Sequence, residues 1–312
     1  MTFSYKIKEE ISKIDSTKLE KISELSGILR TNSDIKLYCI RVQTENINVA
    51  NRIFKTIKEL YDVTANITVR KNYNFKKNEI YIIEIKRNVL TIIKDLGLLD
   101  ERGMKLLEVP NESIVSDDEL KSAFIRGCFL ISGSLNDPKP SRYHLEFLIQ
   151  DLPFANFLSK KLNEFNLKSK VLRRKKGYMV YIKESEKICD FLKIIKAYDG
   201  VMYYEDIRIY REKVNMTNRL NNCEQANIEK SMKTAQNQID EIEFIKKMDA
   251  YDILDDKLKQ VAEFRLKYPE SSLLELSEII SVETGNKITK SCLNHRFRKI
   301  KDLSNKLKNK DE

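Results

Sequence analysis

Tryptophan is absent from this 312-residue chain, and glycine (8), proline (5), cysteine (5) and histidine (2) are scarce. So few glycines and prolines imply few tight turns and much regular structure. The two histidines, His144 and His295, stand far apart, which leaves no material for a histidine-based metal site. The five cysteines, Cys39, Cys128, Cys189, Cys223 and Cys292, form no CxxC pair and are odd in number. They read as reduced, mostly buried side chains rather than disulfides or zinc ligands. There is no GxxxxGK loop and no GxGxxG, so nucleotide binding has no support, and no Ser/His/Asp or Cys/His set stands out. No run approaches the ~20 apolar residues of a membrane span. The N-terminus, Met1-Thr2-Phe3-Ser4-Tyr5-Lys6, carries no apolar signal region, so a cytoplasmic site is expected.

What is present is a repeat. Leu19 to Leu29 reads as a helix containing Glu24-Leu25-Ser26-Gly27-Ile28-Leu29; Ala123-Phe124-Ile125-Arg126-Gly127-Cys128-Phe129-Leu130 opens a second copy. One glycine among large apolar residues in each lets two helix backbones approach closely about a pseudo-two-fold axis. Each copy continues with a strand (Ile35 to Gln43, then Tyr143 to Ile149) and a helix carrying Ala50-Asn51 or Ala155-Asn156. A basic two-strand segment follows (Ile67 to Ile85, then Lys170 to Ile182), and a closing helix (Val89 to Leu96, then Glu186 to Ile195). The drifting offset suits an old duplication better than a solenoid, whose units are shorter.

The net charge of +10 favours a polyanionic partner. Its distribution says more. Lys287 to Lys310 holds nine Lys or Arg (287, 290, 296, 298, 299, 301, 306, 308, 310) against one acid, Asp302, a local excess of +8. Three short helices are legible here. The first, about Asp255 to Lys267, carries Leu258, Val261 and Ala262 on one face and is followed by Pro269. The second begins at Ser272, with Glu275 at capping-box spacing and Leu273, Leu276 and Ile280 as its stripe. Gly285-Asn286 marks a turn, and Thr289 can cap a third helix about three turns long. Leu293, Phe297 and Ile300 should face the core. Ser291, His295 and Arg298 then point the other way, flanked by Asn294 and Lys299. With Thr289 and Lys290 this donor-rich face suits the recognition helix of a helix-turn-helix, Arg and Asn reading base edges and Lys holding phosphates.

Between repeat and tail, Asn215 to Asn227 is rich in asparagine. Ile228, Met232, Ala235, Ile239 and Ile242 then form an amphipathic run, a helix packed on the first domain or a short intermolecular seam. The asparagines either hydrogen-bond phosphates or cap and brace the join between domains.

Placed together, these pieces resemble the WhiA family of bacterial regulators over essentially the whole length. Four stretches carry the resemblance: Phe124 to Ser134; Asp137-Pro138 with Tyr143-His144-Leu145-Glu146; Asn218-Arg219 with Asn222-Cys223-Glu224-Gln225-Ala226-Asn227; and Asn294-His295-Arg296-Phe297-Arg298-Lys299-Ile300. The third and fourth are quite specific to that family. The resemblance implies an α+β fold, a duplicated LAGLIDADG homing-endonuclease-like domain followed by a long linking helix and an all-α helix-turn-helix domain. The implied divisions are 1–98, 99–117 (linker), 118–200, 201–250 (connecting helices) and 251–312. It also implies a nucleoid-associated regulator linked to cell division and chromosome segregation, and to transcription regulation in sporulating relatives.

The nuclease resemblance offers a chemical test. Its helix motif ends on an acid that holds a divalent metal, and two such acids are needed for metal-assisted cleavage. Laid on the motif, Leu25 to Ser33 and Ile125 to Gly133 put Asn32 and Ser132 at that position, and Arg30 and Leu130 at the motif's other acidic position. A cation there would repel a metal further. Asp34 lies two residues past Asn32, so a register slip stays open; Ser132 has no matching acid before Asp137. The expectation is a non-enzymatic scaffold with no catalytic residues, metal, cofactor or small-molecule substrate. Its basic hairpins, Arg70, Lys71, Lys76 and Lys77 in one copy and Arg173, Arg174, Lys175 and Lys176 in the other, have Tyr73, Phe75 and Tyr178 among them. They are solvated turns, secondary DNA contacts, or a protein-docking face. The expected partner is double-stranded DNA, with division or chromosome-partition proteins as further partners and no membrane. Two alternatives stay open, a scaffold that binds such a protein and a residual metal-dependent endonuclease.

Overall fold

The computed structural model describes residues 2–72, 78–100 and 102–309. The chain divides into two compact units, Met1–Arg211 and Glu212–Glu312.

In the first unit, a short amphipathic helix α1 (Phe3–Ile11) buries Phe3, Ile7 and Ile11. It precedes α2 (Lys18–Asn32), which starts at a reciprocal capping box between Thr17 and Glu20. Then come β1 (Ser33–Lys36), β2 (Cys39–Thr44), α3 (Ile47–Tyr61), β3 (Asn66–Asn72), β4 (Asn78–Ile85) and α4 (Val89–Asp95). The second copy repeats the order: α5 (Asp118–Ser132), β5 (Gly133–Leu135), β6 (Leu145–Ile149), α6 (Leu152–Glu164), β7 (Lys170–Arg174), β8 (Gly177–Ile182) and α7 (Ser185–Ile194). The two antiparallel sheets share one topology, β1-β2-β4-β3 and β5-β6-β8-β7. Each turns one face to its helices, where alternate residues such as Ile40, Val42, Ile83 and Ile85, or Leu145, Phe147, Val180 and Ile182, are buried.

The central helices α2 and α5 pack on each other at their glycines. A Cβ on Gly27 would lie 2.3 Å from the Phe124 carbonyl oxygen, and one on Gly127 would lie 2.1 Å from that of Glu24. Each glycine thus meets the carbonyl three residues before its counterpart. Seryl hydroxyls satisfy their acceptors inside this packed layer: Ser23 Oγ donates to Ile114 O at 2.6 Å and Ser26 Oγ to Leu96 O at 2.8 Å.

Several expectations need correction. The stretch read as one strand, Ile35 to Gln43, is the hairpin β1–β2, turning at Leu37-Tyr38, which are exposed. No glycine, proline or asparagine marks that turn, so alternation alone ran through it. Between the two copies, residues of the 99–117 segment pack into the body, with Leu99, Ile114 and Val115 buried. The long linking helix is present as α8 (Tyr198–Lys247), one helix of 50 residues. Asn215, Asn218, Asn221, Asn222 and Asn227 lie exposed inside it and cap no helix end.

The second unit is helical: the C-terminal part of α8, then α9 (Asp256–Lys267), α10 (Leu273–Thr284) and α11 (Lys290–Lys308). Ile242 and Ile245 of α8 join Leu258, Val261, Leu276, Ile280, Leu293, Phe297 and Ile300 in one core. Helix α11 spans 19 residues, longer than the three turns expected, because Leu303 and Leu307 extend its apolar face.

Candidate nucleic-acid interface

The trihelical tail is built by local chemistry. Asp255, Ser272 and Thr289 cap α9, α10 and α11, each side chain accepting a backbone N–H three residues on. Ser272 and Glu275 complete a capping box. Gly285 ends α10 at φ 69°, a left-handed geometry that suits glycine. The core side of α11 presents Leu293, Phe297 and Ile300, all buried. Thr289, Lys290, Ser291, Asn294, His295, Arg298 and Lys299 are all exposed, and so are Lys301 and Lys306.

Two arginines in this unit behave otherwise. Arg296, counted in the basic tail, is half-buried, and its Nη1 is buried without a partner. Arg265 is 1% exposed and was not singled out from the sequence. Its Nη1 donates to Ser271 O at 2.6 Å, tying the α9–α10 turn, and its guanidinium stands 5.5 Å from the Phe297 ring centroid. Burial lowers its pKa. The available clue was position: one helical turn beyond Val261 and Ala262, it falls on the buried face. Lys310 of the basic run lies outside the described residues.

At the ends of the paired glycine helices, the positions expected to lack acids hold amide and hydroxyl groups. Gln150 Nε2 donates to Asn32 Oδ1 at 3.4 Å. Ser132 Oγ turns back along its own helix to Cys128 O at 3.1 Å. Asp34 pairs across the strands with Arg41 and lies 3.7 Å from Lys36 Nζ; by register its counterpart in the second sheet is Ser134. Arg30 does not stand free beside this place. It donates to Glu108 O and to Asp151, with 3.0 Å from Nη2 to Oδ1, and lies over the Phe154 ring. Among the described residues, no group of three or more His, Cys, Asp or Glu is arranged to hold a metal ion.

The hairpin cations among the described residues are exposed, but strand alternation divides them. Arg70 is opposite Ile80, and Arg174 opposite Gly177; the registers place both on the sheet faces turned away from the helices, at equivalent positions. Lys71 and Arg173 point to the helix side, and Lys175 and Lys176 form the turn. Tyr73, Phe75, Lys76 and Lys77 lie outside the described residues. The outward face of the first sheet is not purely cationic. Glu84 pairs with Lys86 and Arg41, each at 2.7 Å, and these cations hold its carboxyl down to about 2. In the second sheet Arg174 Nη2 lies 3.3 Å from Met179 Sδ, and Leu148 and Leu172 are exposed on the same face.

Three family models match in succession: the WhiA N-terminal LAGLIDADG-like domain over residues 5–99, the WhiA LAGLIDADG-like domain over 121–214, and the WhiA C-terminal HTH domain over 217–304. The chain is 40% identical over 316 residues to the "Probable cell division protein WhiA" of Staphylococcus aureus (strain JH9), covering 100% of this chain and 99% of that one. Among solved structures it is similar to full-length DUF199/WhiA from Thermatoga maritima, with TM-score 0.59, 25% identity and coverage of 98% and 99% of the two chains. It is also similar to the isolated N-terminal LAGLIDADG domain of DUF199/WhiA, with TM-score 0.50, 27% identity, and coverage of 62% of this chain and 90% of that one. A duplicated LAGLIDADG-like body, a long helix and a C-terminal helix-turn-helix, matched end to end, make this chain a member of the WhiA family.

Proposed function

We propose that this protein is a non-enzymatic, sequence-specific DNA-binding regulator tied to cell division and chromosome segregation. The observation that carries the reading is the exposed face of α11, where Ser291, Asn294, His295 and Arg298 lie opposite the buried Leu293, Phe297 and Ile300. Asn294 and Arg298, one turn apart, read base edges in the major groove, and Lys290 and Lys299 hold phosphates. Arg70 and Arg174 supply a second, sequence-independent grip. The working site is the cytoplasm, on the nucleoid. Mapping bound chromosomal DNA in cells, for the unaltered chain and for Asn294→Ala/Arg298→Ala, tests it; identical maps would sink the reading.

A second reading rests on α8. Met202, Ile209 and Met216 recur every seven residues and, with Leu220, are exposed. Such a stripe suits a division or chromosome-partition protein, with DNA serving as anchor. A pull-down with the full chain carrying Ile209→Glu and Met216→Glu tests it: loss of a protein captured by the unaltered chain supports this reading.

A further inference from the structure

A cavity of about 370 Å³ opens between α1, the C-terminal end of α2 and the β2–α3 turn. Lys8, Asn32, Gln43, Glu45 and Asn46 are among its lining residues. Asn46 caps α3, its Oδ1 accepting from the backbone N–H of Asn48 at 2.8 Å and of Val49 at 3.4 Å. The cap fixes the amide, since a flip would set NH₂ against two N–H donors. Nδ2 is left buried with no hydrogen-bond partner, on a residue only 4% exposed. Buried amide donors are nearly always satisfied, by protein, ordered water or ligand.

Lys8 contributes the second donor. Its Nζ lies 5.7 Å from the Phe129 ring centroid and makes no ion pair within 4.0 Å among the described residues. Burial pushes its ammonium down to about 8, and the field of Glu45 opposes that shift. The N-terminal ends of α1 and α3 also border the cavity and add positive partial charge. Glu45 is exposed, and it is the one acid lining the cavity among the described residues. Asn46 Nδ2, Lys8 Nζ and two helix N-termini are thus set against one lining acid, and the dipoles favour an anion.

We propose that this cavity binds a small oxyanion, the carboxylate or phosphate group of a low-molecular-weight ligand, held by Asn46 Nδ2 and Lys8 Nζ. Ser4 of α1 donates to Leu135 O at 2.9 Å in the second repeat, whereas Asn46 belongs to the first, so a ligand here braces both halves. Asn32, at the vacant acid position, sits on its rim.

The test is thermal unfolding of the full chain titrated with inorganic phosphate or with acetate, sodium chloride holding ionic strength constant. A saturable rise in Tm is expected with one of them; saturation by acetate assigns a carboxylate, by phosphate a phosphoester. Asn46→Asp keeps the cap acceptor but removes the donor, and Lys8→Met removes the ammonium; each should weaken binding about tenfold or more, while Lys58→Gln on the exposed face of α3 should not. In the unaltered chain, the Asn46 side-chain NH₂ resonances should shift with the same midpoint. Absence of any saturable rise, a rise indifferent to Asn46→Asp and Lys8→Met, or NH₂ resonances that stay still would each overturn the proposal.

Discussion

Arg126 Nε donates to Glu24 Oε2 at 2.6 Å, joining the two repeats through an ion pair whose side chains are 0% and 4% exposed. The same carboxylate accepts from Arg52, whose Nη1 also donates to Ser12 O and Ile14 O. One buried acid thus serves two guanidiniums, and Arg126 Nη1 has no partner. The equivalent position in the first copy is Ser26, so this polar link breaks the symmetry of the duplication.

Removing Glu24 should therefore cost more than removing Arg126. Glu24→Gln leaves two buried cations uncompensated and should destabilise the body by ~3–5 kcal/mol. Arg126→Met leaves Glu24 paired to Arg52 and should cost less than ~2 kcal/mol. Urea unfolding of both variants decides this, and equal losses would contradict the arrangement.

The close approach of α2 and α5 allows no Cβ. Gly27→Ala or Gly127→Ala would press a methyl group against a backbone carbonyl, which cannot rotate away. Each should destabilise by ~1–3 kcal/mol or more. Gly103→Asn, with φ +67° and nothing within 4 Å of the added Cβ, is the control. Its Tm should stay within a degree or two of the parent, as asparagine tolerates that backbone.

On DNA, Arg298→Ala should weaken binding to the preferred duplex by ~1–3 kcal/mol and relax its sequence preference. Lys306→Ala should lower affinity alike on all sequences. If Lys306 holds one phosphate, the slope of log K against log salt should flatten by ~0.9. Fluorescence anisotropy with specific and scrambled duplexes separates the two effects. Point variants are preferable to deletion of residues 252–312, which would strip the cover from Ile242 and Ile245.

Acid should loosen the start of α2. Burial works to raise the Glu20 carboxyl, but the Thr17 N–H and Lys196 outweigh it and hold it down to about 2. A folded pKa below the unfolded value, ~4.3, gives stability that is fully present above that pH. It is lost as pH falls towards 2. Glu20→Gln should unfold more easily at neutral pH yet show a flatter Tm profile between pH 5 and pH 2; a parallel profile would contradict this linkage.

The helix-turn-helix was legible almost residue by residue. Its caps at Ser272 and Thr289, its turn at Gly285 and the stripe Leu293, Phe297 and Ile300 are all local signals. So were the two glycine helices and the loss of acids at Asn32 and Ser132. The β1–β2 turn at Leu37-Tyr38 was not, for want of a turn residue. The long linking helix came from the family resemblance, but the place of its asparagines did not: asparagine favours caps and turns, yet along α8 its side chains simply stay in water.

The sequence by itself determined most of the helices and strands, that they occur twice, and that the tail is basic, because caps, periodicity and charge act over a few residues. Only the tertiary structure decided that Glu24 answers to Arg52 and Arg126, and that Arg30 is spent on Asp151. It alone placed Arg70 and Arg174 together on outward faces while Lys71 and Arg173 turn away. Those outcomes depend on strand register and on burial against residues distant in the chain, and one-dimensional spacing carries neither.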